Sequence, residues 1–172
     1  MNEIGERMAH VGAWRTTVVQ DFVASELFDH TFREGMDLVE ETAAYLDGPG
    51  RQESKRLDRS SALEYAAESM RLTTRLMQVA SWLLVQRAVR EGEMEPSAAC
   101  DARYRLGAEA VSGARGLGDH LPIGLADLLD RSERLYDRVM HLDRRMYLDG
   151  EAGIQPHAVL SQQMKLQAAF GL

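Results

Sequence analysis

SSALEYAAESMRLTTRLMQVASWLLVQRAVRE, residues Ser60 to Glu91, contains no glycine or proline and sets the fold class of the chain. At about 1.5 Å per residue it makes a helical rod of roughly 45 Å. Apolar residues recur with helical spacing along two neighbouring rows. One holds Leu63, Ala66, Met70, Met77, Ala80 and Leu84, the other Tyr65, Leu72, Leu76, Val79 and Leu83. Two faces of this helix are therefore expected to be buried. A third row, Arg71, Arg75, Gln78, Trp82, Val85 and Val89, is polar in its first half and apolar in its second. Between Val79 and Val89 most of the circumference is hydrophobic, which predicts a central helix with several neighbours.

Working outward toward the N-terminus, Ser25 is placed to cap a helix, with Glu26 following where negative charge suits the helix dipole. Phe28, Phe32, Val39, Ala43 and Leu46 share one stripe of that helix, with Met36 at its edge, and Asp47-Gly48-Pro49-Gly50 ends it. Residues 51–59 are nearly all polar and fit either a loop or an early turn of the next helix. Ser61 and Glu64 have capping-box spacing, which favours a start close to Ser60, and Gly92 is a natural stop.

Toward the C-terminus, Pro96 suits the first turn of a short helix with Ala99, Ala102 and Leu106 on its inner side. Gly107, Gly113, Gly116 and Gly118 then mark a flexible connector. Gly116-Leu-Gly118 lacks the remaining glycine and lysine of a phosphate loop. Pro122 opens a third long helix whose row Leu125, Leu128, Ser132, Leu135, Val139, Leu142 and Met146 steps by threes and fours, a bundle seam. On its outer side Asp127 is spaced to pair with Arg131 and Asp130 with Arg134. No segment alternates with a period of two. The expected fold is all-α: an antiparallel three-helix bundle over residues 25–148 with a short extra helix, a mobile lead-in over 1–24 and a flexible tail over 149–172.

Composition bounds the chemistry. The 172 residues suit one domain, and the net charge of −7 argues against general attraction to nucleic acid or anionic lipid. Cys100 stands alone, so neither an internal disulfide nor a thiol-rich metal site is expected. Neither a signal-peptide run nor a membrane span is legible, which points to a cytoplasmic protein. The histidines, His10, His30, His120, His141 and His157, sit in separate segments and do not form a His-rich cluster in sequence. Glu40 and Glu41 are adjacent and point to different sides of their helix, and Glu3 to Glu6 supplies the only Glu-x-x-Glu. The expectation is a protein with no catalytic residues, cofactor or metal, and hence no enzyme.

Two features of the long helix call for partners. Arg71 and Arg75 need carboxylates if they lie between helices, and Glu34, Asp37, Glu40 or Glu41 are candidates for an inter-helix ion pair. Trp82, Val85 and Val89 fall outside the two faces that a three-helix bundle covers. Such a patch predicts a further partner, the simplest being a second copy about a two-fold axis. The lead-in or the Pro96 helix is the alternative cover.

FREGMDLVEETAAYLDGPGR (Phe32 to Arg51), ESMRLTTRLMQVASWLLVQRAVREGEM (Glu68 to Met94) and RSERLYDRVMHLD (Arg131 to Asp143) resemble the alphaproteobacterial RcdA-like family, regulators of CtrA degradation otherwise described as a domain of unknown function. The resemblance covers roughly Ser25 to Leu148 and implies a small three-helix homodimer without a catalytic centre. It implies an adaptor role, delivering a CtrA-like cell-cycle regulator to the ClpXP protease together with a CpdR-like response regulator, and recruitment to a cell pole. The alternative from a different class is a structural or DNA-associated helical regulator using the arginines of the third helix or of residues 51–59.

Overall fold

The computed structural model describes residues 3–107 and 121–147, with side chains from residue 12 onward. The glycine-rich stretch around Gly113 to Gly118 and the tail over 149–172 lie outside the described residues. The elements are α1 (Glu3–Val23), α2 (Glu26–Asp47), α3 (Pro49–Ser54), α4 (Arg59–Arg90), α5 (Pro96–Ala99), a 3-10 turn (Ala102–Tyr104) and α6 (Ile123–Tyr147), with no strand among the described residues. The chain is all-helical.

The helix ends follow local chemistry. The Ser25 side chain accepts from the Phe28 amide at the start of α2. At the start of α4 the cap is Asp58, not Ser60 or Ser61: its carboxylate accepts from the hydroxyls and amides of both serines, and these bonds, that of the Ser60 hydroxyl foremost, hold its pKa well below the usual carboxylate range. Gly92, at φ 75°, closes α4 in the left-handed conformation that glycine adopts without strain. Residues 49–54, undecided from sequence, form α3.

α2, α4 and α6 pack against one another pairwise. α2 runs antiparallel to α4, since Arg90 at the end of one pairs with Asp29 at the start of the other. It is also antiparallel to α6, where Glu41 meets Arg131 and Glu34 meets Arg138. α4 and α6, however, run in the same direction: Arg75 bonds Ser132, Trp82 bonds Asp143 and Gln86 bonds Tyr147. The antiparallel expectation fails for this pair because the chain between Arg90 and Ile123 is too long to impose a tight antiparallel turn.

The segment expected to be a mobile lead-in is instead a fourth long helix. α1 packs against α4, α5, α2 and α6, with Val19, Phe22 and Val23 buried. Only Ala24 and Ser25 separate it from α2, so its C-terminal end is held against the core. The Phe22 ring meets Phe28 edge-on at 5.6 Å.

The buried row of α2 is Phe28, Thr31, Gly35, Leu38 and Thr42. It is displaced from the expected stripe, and Ala43 is exposed. Gly35 explains the shift: a Cβ there would stand 2.6 Å from Leu83 Cδ1, so α2 approaches α4 at its small residues. Tyr45 fixes the other end, its ring lying where a Cβ on either Gly50 or Gly124 would come within 2.6 Å of it, while its hydroxyl donates to Glu53 at 2.7 Å.

Two helical glycines should consequently respond with opposite sign. Gly35→Val should lower unfolding free energy by about 1–3 kcal/mol through overpacking against Leu83. Gly12→Ala, with nothing within 4 Å of the added methyl, should raise it by up to about 1 kcal/mol through helix propensity. Urea unfolding followed by circular dichroism checks both; equal effects would contradict the close α2–α4 contact.

Candidate interaction surfaces

α4 presents its three rows unequally. Tyr65, Leu72, Leu76, Val79 and Leu83 are buried, as the sequence suggests. The third row is buried too: Trp82 is 2% exposed, Arg75 and Val89 are also buried, and Val85 is half-buried. The row expected to be buried, Leu63, Met70, Met77 and Leu84, faces outward at 74%, 73%, 65% and 51% exposure. The third row is held from two sides: Arg75 and Trp82 bond residues of α6, and Phe22 of α1 lies against the Trp82 ring.

Trp82 is sealed within a single copy. Its indole lies 5.8 Å from the Phe22 ring of α1, and its Nε1–H donates to Asp143 Oδ1 at 3.0 Å. Asp143, itself buried, accepts in addition from Arg105 Nε at 2.8 Å and Arg105 Nη2 at 2.7 Å. The Arg105 guanidinium lies 4.4 Å above the Tyr147 ring, and Gln86 Nε2 donates to the Tyr147 hydroxyl at 3.3 Å. Burial pushes that phenol up to about 12. A buried carboxylate persists only when its oxygens are satisfied, and this one ties α4, α6 and the segment after α5 together. Trp82 and Val89 thus form no exposed patch, and Phe22 of the segment expected to be loose lies against Trp82.

Arg75 is likewise buried, donating from Nη1 to Ser132 Oγ at 2.9 Å and pairing through Nη2 with Glu133 at 3.3 Å. This contact crosses from α4 to α6. Arg71 pairs with Glu68 one turn back on the same helix. The α6 arginines considered for phosphate contact are engaged by carboxylates: Arg131 by Glu41 and Asp127, Arg134 by Asp130, Arg138 by Glu34. Burial raises the Cys100 pKa, so its thiol is not an activated nucleophile. Among the described residues no three His, Cys, Asp or Glu side chains cluster as a metal site, and no helix is long and apolar enough to cross a membrane.

Residues 19–170 match the family described as "Protein of unknown function (DUF1465)". The chain belongs to this DUF1465 family. The matched DUF1465 region includes the last turns of α1 together with α2, α4 and α6, so the Phe22 to Trp82 contact lies within it. The crystal structure of RcdA from Caulobacter crescentus CB15 is similar to the chain, with 69% sequence identity, a TM-score of 0.62, and coverage of 75% of this chain and 98% of that one. No curated protein matches.

The buried polar contacts make distinct expectations. Asp143→Ala, which strands the Trp82 N–H and Arg105, should destabilise by about 3–5 kcal/mol, the usual cost of breaking a buried pair. Arg75→Ala should also lower the melting temperature. Differential scanning calorimetry reads both, and an unchanged transition for either variant would contradict its place in the core.

Proposed function

We propose that the chain is a non-enzymatic adaptor of the RcdA kind, which helps deliver a CtrA-like cell-cycle regulator to the ClpXP protease. In this proposal it acts as a cytoplasmic homodimer, recruited to a cell pole, with a CpdR-like response regulator as a further partner. The observation that carries the proposal is the 69% identity extending over 98% of the RcdA chain. At that level the packing just described transfers together with most of the surface that partners would meet.

An adaptor of this kind needs no bond-breaking group of its own. By holding client and protease at once it converts a bimolecular encounter into a local one, with effective concentrations that reach the millimolar range for short tethers. The exposed row of α4 supports the homodimer in this proposal, because large apolar side chains left in water on a folded domain mark a contact surface. The DNA-associated alternative is not favoured, since Arg131, Arg134 and Arg138 of α6 already face carboxylates and the net charge of −7 opposes general attraction to phosphate.

Reconstituted degradation tests the proposal. With ClpXP, a CpdR-like regulator and a CtrA-like client below its KM, adding the chain should accelerate client loss several-fold. The gain should vanish at saturating client, where tethering adds nothing. Equal rates with and without the chain at low client would contradict the adaptor function.

A further inference from the structure

Leu63, Met70, Met77 and Leu84 are seven residues apart along α4, and their order, leucine, methionine, methionine, leucine, reads the same in both directions. Between them the outward positions are small: Ala66 and Ala67, then Thr73 and Thr74, then Ala80 and Ser81. Large side chains every seventh residue with small ones between them match the pattern that lets two helices lie nearly parallel to a common axis. The midpoint of the series falls between Thr73 and Thr74. A two-fold axis there places Leu63 against Leu84 of the partner subunit, Met70 against Met77 of the partner subunit, and small residues against small ones.

We propose that this stripe is the contact between two copies of the chain, with α4 packed antiparallel against its symmetry mate about an axis beside Thr73 and Thr74. It rests on the homodimer proposed above and names the surface and symmetry that such a dimer uses. A two-fold contact must be self-complementary, and a palindromic row is so by construction. Charge points the same way. Exposed Lys55, Arg56 and Arg59 outnumber Asp58 at the head of the stripe, and exposed Glu91, Glu93 and Glu95 outnumber Arg87 and Arg90 at its foot, where Arg87 pairs with Glu91. Antiparallel pairing brings head to foot and opposite signs together, whereas a parallel pair would set like charges side by side. An unrelated helix would gain nothing from the palindrome.

Cross-linking decides it. In full-length chain carrying Cys100→Ser, the single-cysteine variants Leu63→Cys and Leu84→Cys are prepared separately and also co-expressed, then treated with a short bis-maleimide. Both positions are exposed, so folding should be kept, as circular dichroism can verify. The co-expressed sample should give a covalent dimer. Each variant alone should not, because in an antiparallel pair its two cysteines lie about 32 Å apart. As a second arm, Met70→Glu combined with Met77→Glu should yield a helical monomer by light scattering. Linkage of Leu63→Cys to itself would overturn the antiparallel geometry. A dimer that neither links across these positions nor responds to the charged pair would overturn the surface while leaving the homodimer standing. A monomeric unmodified chain at micromolar concentration would remove both.

Discussion

The buried carboxylate of Asp143 is the constraint on which the rest of the arrangement depends. It sits on α6, takes the indole proton of Trp82 from α4 and two guanidinium protons from Arg105 in the segment after α5. An unpaired carboxylate in that position would cost several kcal/mol, so the three elements are held in one register or the core does not close. In that register α4 and α6 run the same way. It also leaves the ring face of Trp82 to be covered by something apolar, and Phe22 of α1 does this.

Covering one side of α4 releases another. A helix wrapped by α1, α2 and α6 buries two of its rows, and the identity of the third follows from which neighbours are present. With Phe22 of α1 against Trp82, the row from Leu63 to Leu84 is left exposed among the described residues. The exposed row is therefore a consequence of the same packing that seals the tryptophan. An interaction surface built this way is rigid, since it is one uninterrupted helix backed by a full core, and rigid surfaces lose little entropy on association.

Much of this was legible in the chain. The long uninterrupted helix, the seam of α6 and the ion pairs Asp127–Arg131 and Asp130–Arg134 follow from periodicity and spacing, and the structure contains all of them. What periodicity could not supply was the partner of each apolar row. Trp14, Val18 and Phe22 are four residues apart, a helical signal in the first segment that was weak because the residues around it are polar. Without α1, the row most in need of cover is the one holding a tryptophan, so the sequence alone points to a dimer contact there. Gly35 hid a second feature: a residue without a side chain leaves no mark in a hydrophobic pattern, yet it sets how closely α2 meets α4. Asp143 was equally silent, because a carboxylate on an amphipathic helix reads as solvated until its donors are known.

The central claim is that α1 of the same copy, not a second copy, covers Trp82. Acrylamide quenching of the Trp14→Phe protein, in which Trp82 is the only indole, tests this most directly when followed from micromolar to nanomolar concentration. The expected result is blue-shifted emission with weak quenching that does not change on dilution. Quenching that rises toward that of a solvent-exposed tryptophan as the protein is diluted would contradict the account.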